Sequence, residues 1–234
     1  MKFYRNLHPF KVISFDLDDT LYDNREVITA AVARFIQYVQ NLTQCPSFGE
    51  EWGELKDQIA RKNPRLSEDV TEWRKEALRQ FLVKKDKNAE EIDRTLTFAM
   101  NEFFHWRHRI TVPEETISVL NSLKTDYKLS VITNGNVEPS RIGLTQFDLI
   151  LRGGEHGRAK PHEDLFLQTA RYFNIAPQEI LHVGDNLITD VQGAIQAGCQ
   201  AVWINLSENT LADFSEATLL PTLEINQLTE LLKL

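Results

Sequence analysis

From residue 113 onward the chain alternates short apolar runs with amphipathic stretches, and that rhythm leaves few folds open. The runs are KLSVITN, FDLILRG, EILHVGD and QAVWIN. Between them lie EDLFLQTARYFN and DVQGAIQAG, both of helical character, the second closed by Gly198. A further helix is expected from Pro113 through Leu123, since proline is accepted in a first helical turn. Strands separated by helices build a parallel sheet covered on both faces. The run over residues 11–17 has the same strand character and is assigned to the same sheet.

Residues 24–106 have another texture. NREVITAAVARFIQYVQNL places Ile28, Ala31, Phe35, Val39 and Leu42 on one helical stripe. NAEEIDRTLTFAMNEFFHW does the same with Ile92, Leu96, Ala99, Phe103 and Trp106, and Asn88 with Glu91 forms a capping pair at its start. Two more helices are expected near 49–61 and 67–83, separated by a break at Asn63-Pro64. The fold class is therefore α/β: a Rossmann-like parallel sheet core with an inserted α-helical domain. Residues 1–22 and 108–234 form the core, and residues 23–107 the insertion.

Composition narrows the function. The net charge is -8, with 34 acidic and 26 basic residues, which disfavours a broad nucleic-acid or anionic-membrane surface. No apolar run approaches a membrane span, and the N-terminus lacks the apolar stretch of a signal peptide. Cys45 and Cys199 lie outside any metal-type spacing and are expected as reduced thiols, so a cytoplasmic location is the default expectation.

Open parallel sheets carry their sites beyond the carboxyl ends of the strands. Three polar groups fall there. VISFDLDDTLYDN ends an apolar run in Asp16, Asp18 and Asp19; KLSVITN ends in Thr133 and Asn134; EILHVGD ends in Gly184 and Asp185. Asp16 and Asp18, alternating around Leu17, would share one face of a regular strand. Crowded carboxylates resist ionising together, so something must offset them, and a shared divalent cation is the candidate. Asp16, Asp18 and Asp185 supply the hard oxygen donors that suit Mg²⁺. Gly184 is expected to permit a tight turn, and Asp190 to cap a helix while it supports its neighbours. Lys160, in GRAKPHED, is followed by Pro161, expected to start a helix. Hydroxyl, amide, ammonium and Mg²⁺ together would cradle a phosphoryl group. His182, inside a strand, is expected to be a satisfied core residue.

Asp16-Leu17-Asp18-Asp19-Thr20, Thr133, Lys160, and Gly184-Asp185 with Asp190, in that order, resemble the haloacid dehalogenase superfamily, and the helical insertion resembles its C1-type cap. The resemblance implies that Asp16 is a nucleophile forming an aspartyl-phosphate. It implies that Asp18 protonates the leaving oxygen and then activates water. Thr133, Asn134 and Lys160 would bind the phosphoryl group, and the Asp16 carboxylate, the Asp18 carbonyl and Asp185 would bind Mg²⁺. Asp190 would support that metal shell, and Thr20 would brace the first loop. An acid two residues after the nucleophile points, within the superfamily, to phosphate hydrolysis rather than dehalogenation.

FYRNL, FDLDDTLYDNR, VITNGN, LRGGEHGRAKP and EILHVGDNLITDV resemble, over nearly the whole chain, bacterial phosphatases assigned to flavin biosynthesis. That implies a small phosphorylated metabolite as partner: 5-amino-6-(5-phospho-D-ribitylamino)uracil, FMN, or else a sugar phosphate or nucleotide. Trp52, Trp73, Phe103, Phe104 and Trp106 could stack on a heterocycle, although most are expected in the insertion's core. The alternatives are a phospho-receiver signalling domain and an idle binding module. The oligomeric state is left open.

Overall fold

The computed structural model describes residues 1–207 and 209–234. In chain order the elements are β1 (Lys2–Phe3), β2 (Val12–Phe15), α1 (Arg25–Thr43), α2 (Phe48–Lys62), α3 (Pro64–Ser67), α4 (Val70–Lys84) and α5 (Ala89–Arg107). There follow α6 (Glu114–Leu123), β3 (Lys128–Thr133), β4 (Leu149–Arg152), α7 (Asp164–Phe173) and β5 (Ile180–Gly184). A wide helical turn, Leu187–Gln192, then runs into α8 (Gly193–Gln196), before β6 (Gln200–Ile204) and β7 (Leu223–Ile225).

The strands form one sheet in the order β1-β7-β6-β5-β2-β3-β4. Every pair is parallel except β1 with β7. The α/β class inferred from the alternation is thus present. β2 is the first strand of the parallel set and sits at its middle, with β3 and β4 laid to one side and β5, β6 and β7 to the other. The order reverses at β2, and a doubly wound sheet opens a crevice beyond the carboxyl ends of the strands at such a point.

β2, β5 and β6 are buried along their whole length, as parallel strands covered on both faces must be. One face contributes Val12, Ile132, Ile180, Ala201 and Trp203 to a core shared with Leu165 and Phe166 of α7, Val191 and Ala194.

The chain divides into two compact units, one comprising residues 1–23, 111–135 and 139–234, the other residues 24–110 and 136–138. The helical unit has its own core of Phe35, Phe48, Trp52, Leu78, Phe81 and Phe103. Trp73, Phe104 and Trp106 pack partly buried against it. Asn88 and Glu91 form a reciprocal capping box on α5, and Asn63 ends α2 while its side chain caps α3.

Four details differ from the sequence expectations. Leu42 is exposed, because it lies in the last turn of α1, past the buried seam of Ala31, Phe35 and Val39. Pro161 does not open a helix; α7 starts at Asp164. Asp190 is not a cap, since the Asn186 side chain accepts from the Ile188 and Thr189 N–H groups instead. The sheet also gains β1 and β7, too short to announce themselves by pattern. Among the described residues, no helix is long and apolar enough to cross a membrane.

Candidate active site

β2 stops at Phe15, so Asp16 and Asp18 stand on the loop that leaves it rather than on the strand itself. Asp19 turns the chain with φ of 58°. The Asp16 N–H still donates to the Val183 carbonyl of β5, which ties the start of this loop to the sheet.

Lys160 is the hub. Its ammonium donates to Asp16 Oδ1 at 2.7 Å, Asp190 Oδ1 at 2.6 Å and the Ile132 carbonyl at 2.6 Å. An ammonium has three protons, and all three are spent on the protein. The residue is 4% exposed. Burial opposes its charge, but the Asp16 and Asp190 carboxylates outweigh that and hold its pKa above the ordinary lysine value.

Asn134 fixes the segment that delivers this lysine. Its carbonyl oxygen accepts from the Lys160 N–H at 2.8 Å, and its amide donates to the Lys160 carbonyl at 2.9 Å. Next to it, Thr133 Oγ1 accepts from the Gly135 N–H at 2.9 Å. Gly135 is obligatory for close approach: a Cβ there would lie 2.6 Å from Asp18 Oδ2. The Asp18 carboxylate also accepts from the Tyr22 hydroxyl at 2.8 Å.

From the other side come Asp185 and Asp190. Thr20 Oγ1 donates to Asp185 Oδ1 at 3.3 Å, and the Trp203 indole donates to the Asp185 carbonyl at 2.8 Å. Asp190 Oδ2 accepts from the Asn186 N–H at 3.0 Å. Gly184 serves this carboxylate rather than a tight turn, because a Cβ at Gly184 would sit 2.3 Å from Asp190 Cγ. Gly184→Ala is therefore expected to cost about 1–3 kcal/mol by overpacking, read as a lowered urea midpoint.

Carboxylate oxygens of Asp16, Asp185 and Asp190 lie within 4.8 Å of one another. Burial pushes the Asp16 carboxyl up to about 8, against the pull of Lys160 and helped by the charges of Asp190 and Asp18. Burial and Asp190 push Asp185 up to about 6. Burial also works against the Asp190 charge, yet Lys160 and His182 hold its pKa well below the usual carboxylate range. Asp190 is thus the settled partner of Lys160, and Asp16 and Asp185 are the two carboxylates left short of positive charge. Two carboxylates completed by water are the usual protein share of a Mg²⁺ site, so the donor set fits that ion.

Asp16, Asp18, Thr20, Thr133, Asn134, Lys160, Gly184, Asp185 and Asp190 are thereby brought to the carboxyl ends of β2, β3 and β5. The Asp18 side chain lies with Tyr22 and Gly135, outside the cluster of three carboxylates. Three participants escaped the sequence expectations, Tyr22, Asn186 and Ser14; His182 is the satisfied buried residue expected, but its reach to Asp190 was not foreseen. Only the partnership of Ser14 with His182 left a trace, as a polar residue in each of two apolar strands.

A family model described as haloacid dehalogenase-like hydrolase matches residues 10–198, and the chain belongs to that family. The sheet order and the strand-end carboxylates accord with that membership. Among individual relatives, the chain is 41% identical to the 5-amino-6-(5-phospho-D-ribitylamino)uracil phosphatase YigB of Escherichia coli, over 100% of both chains. It is 27% identical to the N-acylneuraminate-9-phosphatase of Rattus norvegicus, over 84% of this chain and 83% of the relative. A solved 2-haloacid dehalogenase from Pseudomonas syringae superposes with a TM-score of 0.87 at 29% identity, covering 96% of this chain and 97% of that one.

Proposed function

We propose that this hydrolase is a Mg²⁺-dependent phosphomonoesterase working through an aspartyl-phosphate on Asp16. The enzyme is a phosphatase; its substrate is 5-amino-6-(5-phospho-D-ribitylamino)uracil. The full-length identity of 41% to a relative named for that reaction supports the substrate. The observation that carries the chemistry is the Asp16 carboxylate, seated on Lys160 beside Asp185 and crowded by Asp18.

A carboxylate is a poor nucleophile toward an anionic phosphate, so charge neutralisation is the main requirement. Asp16 and Asp185 would hold Mg²⁺, together with the Asp18 carbonyl, and the bound ion supplies that neutralisation. Asp16 attacks phosphorus with the oxygen that Lys160 leaves uncovered. Asp18, fixed by the Tyr22 hydroxyl and given room by Gly135, gives its proton to the leaving alkoxide. It then takes a proton from the water that cleaves the acyl phosphate and returns Asp16. Thr133, whose oxygen already accepts from Gly135, directs its own O–H to a phosphoryl oxygen. Asn134 clamps the Lys160 backbone, and so fixes the ammonium that holds the Asp16 nucleophile. Asp190 keeps Lys160 in place, and Thr20 orients Asp185.

Metal withdrawal tests the electrostatic part. EDTA is expected to abolish phosphate release and excess Mg²⁺ to restore it. The metal is also expected to raise the melting temperature, because it binds the folded carboxylate cluster alone. Activity persisting in EDTA would overturn this part. A screen of phosphorylated metabolites, with the ribitylamino-pyrimidine, FMN and sugar phosphates side by side, tests the substrate; a kcat/KM for the pyrimidine below that of the others would overturn it.

A further inference from the structure

We propose that Ser14 and His182 are positioning residues, a buried polar pair that fixes the Asp190 carboxylate and, through it, the Lys160–Asp16 contact. The proposal rests on the reading of Lys160 and Asp16 given above.

The β2–β5 register sets Ser14 directly beside His182. Both are fully buried. Their neighbours along those strands, Val12 and Ile180, belong to the apolar core under α7. Polar groups cost free energy in such a place unless they are hydrogen-bonded, and apolar side chains would fill it at no such cost. The pair therefore does something that valine or leucine could not.

Its bonds show what. Ser14 Oγ lies 2.8 Å from His182 Nδ1, and His182 Nε2 lies 3.4 Å from Asp190 Oδ1. Asp190, ionised against Lys160, can only accept, so Nε2 must carry the proton. Burial, reinforced by the nearby Lys160 charge, favours the neutral imidazole over the pull of Asp190. In that form Nδ1 has no proton and accepts from the Ser14 hydroxyl. Asp190 thus selects the tautomer, and the Ser14 hydroxyl stabilises it by donating to Nδ1. The Phe166 ring, edge-on at 5.1 Å, fixes the imidazole plane.

Asp190 is then held from three directions. Asn186 N–H takes Oδ2, while Lys160 and His182 share Oδ1. Without His182, the carboxylate can turn about its Cβ–Cγ bond and draw Lys160 away from Asp16. Such supporting partners typically alter activity by about 10–100-fold when removed.

His182→Phe removes the donor, and His182→Gln returns an N–H at the Nε2 position. With p-nitrophenyl phosphate, His182→Phe is expected to lower kcat about 10–100-fold with KM little changed. His182→Gln is expected to recover most of that loss. In the wild-type protein, ¹⁵N NMR is expected to show a neutral imidazole protonated at Nε2, with Nδ1 as a hydrogen-bonded acceptor. A folded His182→Phe with wild-type kcat, a His182→Gln as impaired as His182→Phe, or an Nδ1–H tautomer would each overturn the proposal. The NMR result decides it even if His182→Phe does not fold. An inactive Asp16→Asn beside a fully active His182→Phe removes only the positioning pair, whereas an active Asp16→Asn removes the functional reading beneath it.

Discussion

Asp16→Asn is expected to lower turnover by at least about 10⁴-fold, the scale on which loss of a nucleophile is felt, while the chain stays folded. The amide has the size of the carboxylate but cannot attack phosphorus. Lys160 keeps its bonds to Asp190 and the Ile132 carbonyl. The substitution even relieves a cost. Burial lifts the folded-state pKa of Asp16 from 3.8 to about 8, so stability falls as pH rises through that window in metal-free protein. A neutral side chain removes this penalty at pH 7. The variant should therefore melt no lower than the parent in EDTA. Phosphate-release assays and thermal melts check both halves, and an active variant would refute the nucleophile assignment.

Lys160→Met should do the opposite to stability. It leaves Asp16 and Asp190 buried and close together without their shared cation. Breaking a buried ion pair from one side costs about 3–5 kcal/mol. Urea denaturation in EDTA should show a loss of that size, and activity should vanish with it. Combining Lys160→Met with Asp16→Asn should recover part of the stability, because the two changes share one contact and cannot be additive. Full additivity would mean that the contact contributes little in solution.

The contrast between these two variants marks what the sequence made legible. Asp16, Thr133, Lys160 and Asp185 each follow an apolar run or a tight loop, and a parallel sheet collects such positions at one edge. Their convergence was therefore readable without coordinates. The role of Gly184 was not, because the collision it avoids is with Asp190, a side chain that returns from the next turn. Asp190 resembled a helix cap by position, but Asn186, four residues earlier, reaches the free N–H groups first. His182 reads as an ordinary buried polar residue until register sets Ser14 beside it, and register is a property of two strands, not of one. Tyr22 is one tyrosine of five in composition and declares itself only where the loop after β2 curls back on Asp18. β1 and β7 span only two and three residues, too few for periodicity to speak.

The self-contained aromatic core of the helical unit has a consequence for descent. Phe35, Phe48, Phe81 and Phe103 bury one another, so that unit satisfies its apolar demand with its own side chains. A lineage can therefore vary the outer faces of this unit while the rings that hold its helices together stay in place.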